Sequence, residues 1–129
     1  MNTIAISSSL KYRELIRKAI SDLEEIGVTA LFPNLDGEVS KEDLDIDLMK
    51  KLEADHFEAI ESSECLYVIC PDGYVGTLVS VEIGYAYAQQ KPIIFSETPE
   101  DLGLQAMASE YINLDEIERL KEISPDSLS

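Results

Sequence analysis

Cys65-Leu66-Tyr67-Val68-Ile69-Cys70 is an unbroken apolar run, closed by Pro71-Asp72-Gly73. Its length suits a strand and falls short of a buried helix. A run without polar alternation is what a strand needs when both of its faces are covered, and such strands belong to parallel sheets. Working outward, residues 3–7, 28–32 and 92–96 read as further strands, and Tyr111-Ile112 as a short edge strand. Helical patterns lie between them. Tyr12, Leu15, Ile16, Ala19, Ile20, Leu23 and Ile26 recur at three/four spacing, and Gly27 is placed to end that helix. Ser8 or Ser9 would cap its start. Ser40, with Asp43 three residues on, marks the start of a long helical stretch ending near Ser62, with the stripe Leu48, Met49, Leu52, His56 and Ile60. Residues 77–90 form a third helix that Pro92 prevents from continuing. Residues 99–109 read as helical, and Asn113 would cap a last helix over 114–122.

Strict alternation of strand and helix predicts a three-layer α/β domain of flavodoxin-like type, with a parallel sheet in the order 2-1-3-4-5 and helices on both faces. The chain's 129 residues suit one domain, here residues 1–123, with 124–129 as a frayed tail. Ligands of such sheets bind beyond the carboxyl ends of the strands, where the strand order reverses. That places Ser7-Ser8-Ser9, after the first strand, and the loop at 71–76, after the third, at the expected site.

Charge narrows the partners. Twenty-six acidic residues stand against ten basic ones, a net charge of −16. Eleven acidic and three basic residues fall within 36–64, which is half of that net charge. A polyanion such as nucleic acid would be repelled, and an anionic membrane surface is disfavoured. No apolar run approaches the ~20 residues that cross a bilayer. The first helix opens with the chain's basic group, Lys11, Arg13, Arg17 and Lys18, which reads either as solvated helix charge or as a local site for one phosphate. Residues 1–6 lack the basic segment of a signal peptide. Cys65 and Cys70 are five apart on one strand, so they face opposite ways and read as buried thiols in a reducing cytoplasm. His56 is the only histidine and has no companions at metal-ligand spacing, so neither a metal nor another cofactor is expected. A flavodoxin proper, a receiver domain and a dinucleotide site each lack their phosphate loop or acidic cluster after the first strand.

The segment from Cys70 to Ala86 carries the chemistry. Gly73 and Gly76 permit tight turns near a ligand, and the helix that follows offers free N–H groups to the pocket. Taken by residue type alone, Glu82 reads as a solvated helix carboxylate, Asp72-Gly73 as a turn pair, and His56 as a core or interface histidine. The arrangement as a whole, however, resembles a known family. Asp72-Gly73-Tyr74-Val75-Gly76, four residues, Val81-Glu82-Ile83-Gly84-Tyr85-Ala86 and then Lys91-Pro92-Ile93 look like the nucleoside 2-deoxyribosyltransferase-like superfamily of deoxyribosyltransferases and nucleotide N-hydrolases. The resemblance implies that Glu82 is a nucleophile attacking the anomeric carbon of a nucleoside or nucleotide, with Asp72 as its catalytic partner. Candidate substrate contacts are Gly73, Tyr74, Gly76 and Thr77 in the motif, Ser7, Ser8 and Ser9 at the lip after the first strand, where a phosphate or ribose hydroxyl could be held, and His56, which could hold or protonate a sugar oxygen. The resemblance also implies a homodimer or higher homo-oligomer, which the small residues Gly84, Ala86 and Ala88 would suit. The match departs from the family at two places. His56, with Asp55 beside it, stands where the transferases carry an aspartate, and Gly76-Thr77 stand where they carry acidic residues. A pocket that binds a nucleotide or nucleotide sugar without turning it over is the alternative function, and a scaffold with subunit contacts at Tyr85, Tyr87 and His56 is a further one.

Overall fold

The computed structural model describes residues 1–36 and 43–128. Five parallel strands form one sheet in the order β2-β1-β3-β4-β5. They are β1 (Thr3–Ser7), β2 (Thr29–Leu31), β3 (Leu66–Val68), β4 (Ile93–Phe95) and β5 (Glu110–Tyr111). The helices are α1 (Arg13–Glu25), α2 (Ile46–Glu61), α3 (Thr77–Ala88) and two single turns, α4 (Leu102–Gln105) and α5 (Arg119–Glu122). The flavodoxin-like order expected from the sequence is the order found.

Side-chain alternation along the strands divides the core in two. Ile4 and Ile6 of β1, with Tyr67, Ile69 and Ile94, meet Ile16 and Leu23 of α1 and Leu120 of α5. Ala5, Leu66, Val68, Ile93 and Phe95 point the other way, toward Ile60 of α2 and Ile83 and Ala86 of α3. Every residue from Cys65 to Cys70 is at most 1% exposed, which is why that run tolerates no polar residue. Cys65 and Cys70 fall in opposite core clusters and are free thiols. Burial pushes the Cys65 thiol up to about 12 and also raises that of Cys70, so both are poor nucleophiles.

Several boundaries differ from the sequence expectation, each for a local reason. β3 stops at Val68, and beyond it the Cys70 N–H donates to the Ser96 side chain instead of to a strand. Ser9 caps a 3-10 turn at Leu10–Tyr12 that precedes α1, while the Ser8 hydroxyl donates to the Ile69 carbonyl. Asp45 caps α2 by accepting from the Leu48 N–H; the Ser40 cap lies outside the described residues. The helix expected over 99–109 shortens to α4, whose start Asp101 caps. The last expected helix divides into a 3-10 turn at Leu114–Glu116 and α5. Pro125–Leu128 forms another 3-10 turn, with Leu128 packed on the α1 side of the core. Among the described residues, no helix is long and apolar enough to cross a membrane.

The loop after β3 is shaped by two left-handed residues, Asp72 with φ 57° and Gly73 with φ 79°. Gly73 is buried against the loop after β4, and the Glu100 N–H donates to its carbonyl. A Cβ at Gly73 would stand 2.7 Å from the Thr98 carbonyl oxygen, so both backbone sign and space demand glycine. We expect Gly73→Ala to lower the unfolding free energy by about 1–3 kcal/mol. A urea melt would show this as a lower midpoint with an unchanged slope.

Candidate active site

Period-two alternation puts Ser7 on the same face of β1 as Ala5, the face covered by α2 and α3. At the carboxyl end of the sheet this face opens into a cavity of about 430 Å³. Its floor and walls come from Ser8 and Ser9 after β1, Arg13 of α1, and Phe32-Pro33-Asn34 after β2. Met49, Leu52, Glu53 and His56 of α2, Gly76 to Val79 at the start of α3, and Glu82 complete it. Leu10, Leu44 and Leu78 form an exposed apolar rim. A nucleoside-sized ligand fits this volume.

Glu82 is the chemical centre. It sits in the second turn of α3, is only 5% exposed, and accepts a 2.7 Å hydrogen bond at Oε1 from the Ser7 hydroxyl. Burial raises its pKa far above the ordinary carboxyl range. A hydrogen bond with Glu53 raises it further, and the Ser7 hydroxyl opposes the rise. His56 Nδ1 lies 3.8 Å from Glu82 Oε1, too long for a hydrogen bond. The His56 ring packs edge-on against Phe32 at 4.9 Å, and burial lowers its pKa against the opposing pull of Glu53 and Asp55. Burial therefore draws both groups toward their neutral forms, which does not favour an ion pair between them. Asp55 is turned elsewhere: its carboxylate takes hydrogen bonds from Asn34 and Lys51, which fasten the loop after β2 to α2.

The site residues expected from the sequence divide into two groups. Ser8, Ser9, His56, Gly76, Thr77 and Glu82 line the cavity together, and Ser7 anchors Glu82 from beneath. Asp72, Gly73 and Tyr74 do not line it. Asp72 is exposed, and its N–H donates to Glu97. Tyr74 closes over the start of α1, with Lys11 Nζ 3.4 Å from its ring centroid and Tyr12 edge-on at 6.3 Å. The structure therefore does not bring Asp72 to Glu82; the carboxyl beside Glu82 is Glu53. Glu53 carries no spacing signal of its own, and its place three residues before His56 was the one clue in the sequence. Of the early basic group, only Arg13 reaches the cavity wall. Two cavity atoms are buried without a hydrogen-bond partner among the described residues, Arg13 Nε and Glu53 Oε1. One is a donor and the other an acceptor. No cluster of three metal-ligating side chains occurs among the described residues.

A buried carboxyl whose pKa is raised binds its proton more tightly in the native than in the unfolded chain. Its contribution to stability is present below the unfolded value and is lost as the pH climbs toward the raised one. Glu82→Gln removes that loss. We expect the variant to melt several degrees above the parent near pH 8, the difference shrinking toward zero at about pH 4.5. Thermal melts across that range check this, and a difference independent of pH would contradict it.

No family model matches the chain, and no curated protein matches it in sequence. Solved structures do match it in shape. A 2-deoxyribosyltransferase from Bacillus psychrosaccharolyticus superposes with a TM-score of 0.70 at 18% identity, over 98% of this chain and 95% of the other. A conserved protein from Enterococcus faecalis gives 0.61 at 16% identity, over 93% and 99%. A CMP N-glycosidase from Clostridium botulinum gives 0.59 at 21% identity, over 94% and 98%. The chain thus has the fold of the nucleoside 2-deoxyribosyltransferase-like proteins along nearly its whole length.

Proposed function

We propose that this protein breaks the N-glycosidic bond of a nucleoside or nucleotide, handing the sugar to water or to a second base, with Glu82 as nucleophile. The observation that carries this reading is the placement of Glu82. The buried Glu82 carboxyl, fixed by Ser7 from the strand below, faces a cavity of nucleoside size in a fold shared with a deoxyribosyltransferase and a CMP N-glycosidase. In its ionised form Glu82 attacks C1′ as the base departs, giving a glycosyl ester that water or an incoming base then resolves with net retention. The apolar wall of Phe32, Met49 and Leu52 suits a base, and Ser8, Ser9 and Thr77 supply hydroxyls for the sugar.

Arg13 favours a substrate that carries a 5′-phosphate. Its Nε is a buried donor with no acceptor among the described residues, beside Ser8 and Ser9 on the cavity wall. An unmet guanidinium donor is well matched by a phosphate oxygen. The net charge of −16 does not prevent this, because one local cation decides the field at the wall more than distant exposed carboxylates do.

Incubation with a panel of nucleosides and nucleoside 5′-monophosphates, with and without a free acceptor base, should release base detectable by chromatography. Glu82→Ala should lose at least ~10³-fold of that activity. A ligand that raises the melting temperature yet stays intact, in parent and variant alike, would point to a binding module instead. Arg13→Gln should cut the preference for monophosphate over nucleoside by about 10–100-fold in kcat/KM.

A further inference from the structure

The α2 wall of the cavity holds a polar atom that nothing in the protein satisfies. Glu53 Oε1 is buried and has no hydrogen-bond partner among the described residues. A carboxylate oxygen accepts and does not donate, so what it lacks is a donor. The buried hydroxyls at the end of β1 are committed elsewhere. Ser7 donates to Glu82, and Ser8 donates to the Ile69 carbonyl. The other orphaned atom, Arg13 Nε, is a donor, but the two do not satisfy each other, since both are unmet. Arg13 enters the cavity from α1 and Glu53 from α2.

Its position on the helix decides which part of a ligand Glu53 meets. Met49 lies four residues before it and His56 three after, so the three share a face, and Leu52 lines the cavity with them. This is the apolar wall that suits a base. The hydroxyls that suit a sugar, on Ser8, Ser9 and Thr77, stand on other elements. Glu53 is thus an acceptor set among groups that pack on a flat ring. Nucleobases differ simply in what they offer it. Cytosine carries an amino group at N4 where uracil has a carbonyl, and adenine carries one at N6 where hypoxanthine has a carbonyl. An amino group gives the buried oxygen its missing donor. A carbonyl sets a second acceptor against it and leaves it unpaired, which is costly inside a cavity.

Resting on the reading of this cavity as a nucleoside or nucleotide site, we propose that Glu53 selects the base by accepting a hydrogen bond from the exocyclic amino group of cytosine or adenine. Together with Arg13, it narrows the substrate class to the 5′-monophosphate of an amino-bearing base. Glu53 touches the base and takes no part in bond-making at C1′.

Two matched pairs, CMP with UMP and AMP with IMP, isolate that group. In the ring class that the protein accepts, kcat/KM for base release should favour the amino member by at least ~10²-fold. Glu53→Gln keeps the length of the side chain but presents a donor as well as an acceptor. It should bring the ratio to within about tenfold of one. Glu53 also bears on the charge of Glu82, so absolute rates in the variant change for a second reason. That change is common to both members of a pair and cancels in the ratio, so a purely electrostatic role leaves the ratio as it is in the parent and overturns the proposal. CMP against dCMP is the third comparison. If Glu53 accepts from a sugar hydroxyl, Glu53→Gln shifts that ratio and leaves the amino-to-carbonyl ratio alone, which also overturns it. Base release without an amino preference in the parent does so with no variant at all.

Selection can be read apart from catalysis. In Glu82→Ala, CMP or AMP should raise the melting temperature more than UMP or IMP at equal concentration, and adding Glu53→Gln should abolish the difference. That result, with no base released by the parent, sinks Glu82 as nucleophile and leaves base selection standing. Equal shifts from both members of each pair, or no shift from either, sink the selection.

Discussion

Burying a carboxyl group is the constraint on which the rest of the site depends. Glu82 lies on α3 with its side chain almost wholly out of water, directly above the end of β1. An isolated carboxylate there would be prohibitively expensive, so the group must be protonated, hydrogen-bonded or both. β1 gives the Ser7 hydroxyl as a donor, burial itself favours the protonated form, and α2 brings Glu53 to the same cavity. This is why a serine, and not another isoleucine, ends a strand whose other inward residues are apolar. It is also why three separate elements must be in register before the site exists at all.

The sheet was legible because its signals are local and redundant. A strand buried on both faces has no freedom to include polar residues, so residues 65–70 announced both their own structure and the two helical layers that cover them. The stripe on α1 and the stop at Gly27 followed the same logic. Boundaries were less legible. Cys70, for instance, is as buried as Val68 but is turned out of the strand by its bond to Ser96, a residue 26 positions away. Glu82 was legible only through a motif; its spacing alone fits an exposed helix carboxylate equally well.

The loop at 71–76 is shaped more by the neighbouring loop than by the cavity. Its glycines suggested an approach to ligand, but the left-handed turn at Asp72-Gly73 sends the chain toward the loop after β4. Gly73 is there to let two protein segments touch. Tyr74 is held by Lys11 and Tyr12, so the loop braces the start of α1 from outside while only its last residue, Gly76, reaches the cavity. The same glycine pattern serves ligand contact or chain packing, and only the tertiary position of the neighbouring loop tells them apart.

Helical geometry accounts for the division of labour on α2. Residues three apart share a face, whereas neighbours are turned by about 100°. Glu53 and His56 therefore both look into the cavity, while Asp55, adjacent to His56, looks toward Asn34 and the loop after β2. Where the transferases that this chain resembles carry an aspartate, the chain has a histidine, and Asp55 beside it is turned to the other side of the helix. The carboxyl that α2 does bring to the cavity is Glu53, one turn before His56. Such a division is open to a helix but not to a strand, where residues three apart point to opposite faces.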